Sequence, residues 1–185
     1  MKRRAGATLL AVCAVVLLGN AGWIHAKAAV AQWLLHEAWQ ASLGDGRAHR
    51  PWPWADTHPV ARLQVPHLAI DQIVLAGDSP RVLAFGPGWA EASAAPGRVG
   101  TLVVSGHRDT HFKWLRELRT GDEIAVESVT GQRRYRVTGS QVVDSRRQRL
   151  ALDEDTARLQ LVTCWPFDAV TAGGPLRYVV SAVAL

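Results

Sequence analysis

From residue 60 onward the chain breaks into short apolar runs divided by turn residues, and that rhythm limits the folds open to it. The runs are 61–66, 70–75, 99–106, 123–128, 134–143, 158–164 and 177–184. They are rich in the β-branched and aromatic residues that suit a pleated backbone, and Gly, Pro, Asp or Ser lies between them. Two short helical segments interrupt them: "FKWLREL" at 112–118, ended by Gly121, and residues 79–86. Seven or more short strands with so little helix predict a mainly β domain, a barrel or a sandwich. Closing the sheet into a barrel leaves no strand edge exposed. Nearly half of the 185 residues are apolar, enough for one sizeable core.

The first 59 residues differ in kind. "MKRR" precedes "AGATLLAVCAVVLLGNAGWI", residues 5–24, in which Asn20 is the one strongly polar residue. Twenty helical residues rise about 30 Å, the thickness of a hydrocarbon core. We therefore expect residues 1–25 to form a signal-anchor transmembrane helix. The leading positive charges favour a cytoplasmic N-terminus and a domain outside, with Trp23 at the outer interface. The rival is a cleaved signal peptide with its site at Ala26-Lys27-Ala28, and it exports the same domain. In "AKAAVAQWLLHEAWQASL", residues 26–43, Val30, Trp33, Leu34 and Leu35 share a helical stripe that Trp39 and Leu43 roughly continue. That stripe fits a stalk or a helix packed on the domain. Gly and Pro break regular structure over 44–59, so residues 26–59 read as stalk plus linker and 60–185 as the domain.

Charge excludes one class of partner. Four of the 21 Lys and Arg residues lie in the first 27 positions, which hold no Asp or Glu, leaving 17 against 16 acidic residues afterwards. A near-neutral domain has no basic face for nucleic acid.

Three polar residues stand at strand ends. His107 closes "TLVVSGH", Cys164 closes "LQLVTC" and Arg177 opens "RYVVSAV". By alternation His107 shares a face with Val103 and Ser105, Cys164 with Val162, and Arg177 with Val179. If the last two strands are antiparallel neighbours, Cys164 and Arg177 come to one end of the sheet. His107 joins them if its strand runs parallel to the Cys164 strand. That pairing needs a crossover, which residues 108–157 supply. A thiol, ordinarily titrating near 8.5, becomes a good nucleophile when cations help it ionise. An imidazole can protonate a leaving amine, and a permanently charged guanidinium can hold an oxyanion. The bland alternatives are a buried filler cysteine, a strand-capping histidine, and an arginine paired with Asp168. "HRDTH" suggests a rival class, a metal site of His107, Asp109 and His111 with Cys164 as fourth ligand, but a zinc site normally shows clearer ligand motifs. Neither the eight tryptophans nor any other motif calls for a cofactor. Another Cys/His hydrolase and a non-catalytic tethered β-domain also fit the residues.

"VVSGHRDTHF", "LVTCWPF" and "PLRYVV" together resemble the sortase family, and most of all the class GN, or marine proteobacterial, sortases of Gram-negative bacteria. The resemblance covers roughly residues 58–185. It implies an eight-stranded β-barrel with the His and Cys strands as parallel neighbours. It implies that Cys164 is the acyl-accepting nucleophile, His107 the proton donor and acceptor, and Arg177 the oxyanion or substrate stabiliser. The reaction implied is cleavage of an LPXTG-like C-terminal signal on a secreted protein, through a Cys thioester resolved by an amine, at the inner membrane. The segment before the cysteine is "LVTC" where many Gram-positive members have "TLxTC". The adjacent Asp153, Glu154 and Asp155 do not form an obvious Ca²⁺ cluster, so calcium activation is not carried over.

Overall fold

The computed structural model describes the backbone of residues 2–153, 155–171 and 173–185; in the first helix it describes the side chains of 17, 19, 20, 22, 23 and 25 onward. That helix, α1 (Lys2–Asp45), is continuous. Gly46 ends it, at φ +72° with its N–H bonded to the Ser42 carbonyl at 2.9 Å, a left-handed cap that favours glycine. Leu35, Ala38, Trp39 and Ser42 are buried, at the three- and four-residue spacing of one helix face. Leu35 and Trp39 form a small second core with Ile73, Leu75 and Val82. The stretch 26–43 is thus a helix whose later part packs on the domain. Among the described residues no helix is long and apolar enough to cross a membrane. The run 5–24 lies largely outside the described side chains, and the anchor reading with it.

Residues 46–58 carry no helix or strand. Here Trp52 packs on Phe85, ring centroids 5.2 Å apart, while Trp54 stays 83% exposed. Then come β1 (Pro59–Val65), β2 (Ile70–Ala76), a single helical turn α2 (Pro80–Leu83), β3 (Gly88–Trp89), β4 (Thr101–Ser105), β5 (Glu123–Ser128), β6 (Gly131–Asp144), β7 (Arg158–Cys164) and β8 (Leu176–Ala184). The segment 112–118 forms a tighter 3₁₀ helix, Lys113–Glu117, and the helical stretch 79–86 shortens to α2, whose N–H at Val82 is capped by the Ser79 hydroxyl.

The strands close into a barrel in the order β1-β2-β3-β4-β7-β8-β6-β5. The mainly β expectation holds, and of its two architectures the barrel is the one formed. Burial alternates along β1, β5 and β7, as a strand with one face on the core requires. Leu63, Val104, Ile124, Leu159, Leu161 and Val180 fill the interior. β4 departs from alternation, with Thr101 to Val104 all buried, because the outer wall of the barrel is also covered there. β3 matches none of the sequence runs, since two residues are too few to show a period.

Candidate active site

The inward side chains of β4, β7 and β8 are Leu102 and Val104, Leu159 and Leu161, Val180 and Ala182. Their neighbours therefore face out, and the register sorts these into rungs. Ser105 pairs with Val162 across the parallel β4–β7 ladder, and Val162 with Val179 across the antiparallel β7–β8 ladder. One rung further on, Cys164 is the direct partner of Arg177. The Gly106 N–H bonds to the Val162 carbonyl at 3.0 Å and so extends the β4–β7 ladder, bringing His107 level with Cys164. With strands about 4.8 Å apart, the imidazole, thiol and guanidinium stand side by side on the barrel's outer wall. All three line one cavity of about 290 Å³, whose opposite wall is Asp78 and Leu83, before and within α2. The residues that end three apolar runs are thus brought together.

Two bonds hold the rung in place. Thr163, 2% exposed, points into the barrel and donates its hydroxyl to the Gly106 carbonyl at 2.6 Å. The residue before the cysteine is thereby locked to the residue before the histidine. Gly106 admits no side chain, because a Cβ there would lie 2.7 Å from the buried Phe112 ring. That ring in turn seats the loop after β4, with the Phe112 N–H on the His107 carbonyl at 2.9 Å.

Cys164 is half-buried and bears a free thiol on the cavity surface, which disfavours the filler alternative. Arg177 makes no ion pair with Asp168 in the described structure. Its Nη1 donates to the carbonyls of Gly174 at 2.6 Å and Leu176 at 2.9 Å. Among the described residues its Nε and Nη2 have no protein partner and are left for the cavity. His107 is exposed. Burial pushes His111 below the ordinary histidine range, and charge on His107 adds to that, against an opposing hydrogen bond with the Ala84 backbone.

The metal alternative does not assemble. Asp109 is exposed and accepts from the Arg108 Nε at 3.3 Å, and among the described residues no three His, Cys, Asp or Glu side chains are placed to hold an ion. A larger concavity, about 540 Å³, lies beside the His67–Asp122 pair, but no thiol or hydroxyl lines it. Sequence reasoning missed Gly106, Thr163, Asp78 and Arg108. A Thr directly before the cysteine was a usable signal for one of them; the others carry none.

Comparison with known proteins identifies the family to which the barrel belongs. The family model described as "Sortase domain" matches residues 63–185. Sortase D of Bacillus subtilis (strain 168) is 30% identical over 119 residues, 64% of this chain, and the chain spans 60% of that relative's length. Sortase A from Corynebacterium diphtheriae superposes with a TM-score of 0.63 at 25% identity, over 71% of this chain and 63% of that one. A Clostridium perfringens Sortase D5 transpeptidase shares the fold, with a TM-score of 0.68 at 21% identity over 85% and 99% of the two chains. A match over two thirds of the sequence, on the segment that builds the barrel and carries the His107–Cys164–Arg177 rung, shows that this chain belongs to the sortase family.

Proposed function

We propose that the chain is a membrane-anchored cysteine transpeptidase of the class GN, or marine proteobacterial, kind. It cleaves an LPXTG-like C-terminal signal on a secreted protein and passes the acyl group to an amine. The observation that carries this reading is the single rung on which Cys164 faces Arg177 and continues to His107, all on one cavity. The Cys164 thiolate attacks the carbonyl of the Thr–Gly bond. Nε and Nη2 of Arg177 stabilise the oxyanion that develops there. His107, as imidazolium, protonates the departing glycine amine, and a thioester remains on Sγ. The incoming amine gives a proton back to His107 as it attacks, and the thiolate leaves. A groove on the barrel's outer wall suits an extended peptide tail better than a closed pocket does.

Placement at the inner membrane, with the N-terminus cytoplasmic and the barrel outside, is supported by the "MKRR" cluster and the 20-residue apolar run. The continuity of α1 from that run to the barrel surface fits the same placement.

The test is incubation with an LPXTG-type peptide and hydroxylamine as acceptor. The wild type forms a Cys164 acyl-enzyme detectable by intact mass and releases the hydroxamate. Cys164→Ala loses both, with turnover down at least about a thousandfold. An acyl-enzyme surviving in Cys164→Ala removes the nucleophile assignment. Hydrolysis with no transfer to added amine reduces the reading to that of a hydrolase.

A further inference from the structure

Arg108, directly after His107, is buried to 6% exposure, although it is an arginine in a surface turn. Its guanidinium reaches across to the connection between β7 and β8. Nη1 donates to the Pro166 carbonyl at 2.8 Å, and Nη2 to those of Ala169 at 2.7 Å and Thr171 at 3.1 Å. Nε goes to Asp109. Three carbonyls of one loop thus converge on one planar fork, a geometry that a single ammonium cannot reproduce. Backbone carbonyls without ladder partners need such donors when they are covered. The start of the loop is packed by Phe167 against Trp165 and Tyr178, at 5.6 and 5.2 Å between ring centroids. Its far end supplies the Gly174 carbonyl that holds Arg177 Nη1. Among the described residues, none of 165–176 lines the cavity. The loop's described link to the site is therefore the Gly174 carbonyl on Arg177.

We propose that Arg108 is a positioning residue: it ties the His107 turn to the β7–β8 loop and, through that loop, fixes the guanidinium of Arg177. This rests on the transpeptidase reading for its kinetic consequence but not for its structural one. Losing the tie lets Arg177 wander from the oxyanion position while the peptide groove stays intact. The cost falls on kcat, with KM little changed.

The experiment compares wild type, Arg108→Lys and Arg108→Met, with Val126→Ala in β5 as a variant destabilised away from the site. Amide hydrogen exchange is followed over 166–176, and kcat and KM are measured with the sorting peptide. The expected result is faster exchange in that loop for both Arg108 variants. We expect kcat to fall about 10- to 100-fold, more for Met than for Lys, with KM within about twofold. Val126→Ala, at a comparable loss of melting temperature, keeps its kcat. Unchanged exchange in the Met variant, wild-type kcat in it, or a rise confined to KM overturns the proposal. If the wild type itself does not turn over the peptide, the transpeptidase reading fails instead. Exchange then decides the tie alone: protection lost in both variants supports it, and protection kept overturns it.

Discussion

At the residue scale the proposed chemistry turns on a division of labour within one side chain. Nη1 of Arg177 holds the loop carbonyls of Gly174 and Leu176, while Nε and Nη2 are available to the cavity. Lysine has one nitrogen and cannot do both. Arg177→Lys is therefore expected to fold normally by circular dichroism yet lose about 100-fold in single-turnover acylation, the scale of one missing oxyanion donor. An acylation rate equal to wild type would place Arg177 outside the mechanism. His107, Cys164 and Arg177 stood out in the sequence as candidates because each is a polar residue at the end of an apolar run; the runs left filler, capping and ion-pair roles open, and the family resemblance supplied the catalytic ones. Arg108 was not legible. A basic residue in a turn reads as solvated, and its burial is created by carbonyls of Pro166, Ala169 and Thr171, far along the chain.

At the element scale the arrangement depends on β4 lying parallel to β7, and on the bond that ends their ladder. Thr163→Val keeps the shape but strands the Gly106 carbonyl in the core, a loss of about 1–3 kcal/mol. It also frees the backbone just before His107. Urea denaturation should show the lower stability and peptide turnover a further loss, while Thr163→Ser keeps most of both. If Val and Ser behave alike, the hydroxyl has no part in aligning the two strands. Composition and turn residues located seven of the eight strands. They did not locate β3, whose two residues show no alternation. The connection 108–157 permitted the parallel β4–β7 pairing without choosing it, because strand composition does not encode a partner. Only the register puts Cys164 opposite Arg177 and not one residue away, where it would face the other side of the sheet.

At the scale of the whole molecule the barrel borrows part of its surface cover from α1. Leu35 and Trp39 are fully buried against Ile73, Leu75 and Val82. A chain lacking residues 1–29 keeps this contact and should melt close to the full-length protein. One lacking residues 1–45 loses a buried tryptophan and leucine, several kcal/mol by comparison with core truncations. Its midpoint should drop by about 10 °C or more in a thermal scan. Equal midpoints for the two truncations would show that α1 contributes nothing to the fold. Barrel or sandwich was left undecided by the strand count, because closure depends on pairs distant in sequence. The hairpins β1–β2, β5–β6 and β7–β8 form between near neighbours, but the barrel closes only when Arg62 finds Glu127, Thr101 finds Arg158 and Tyr135 finds Ala184. Such distant pairings carry the largest loop-closure cost and slow folding. His107 and Cys164 sit on either side of the second of these seams. A nascent or half-folded chain therefore carries its thiol away from the imidazole, chemically idle, and recovery of acylation after refolding would time the closing of that seam.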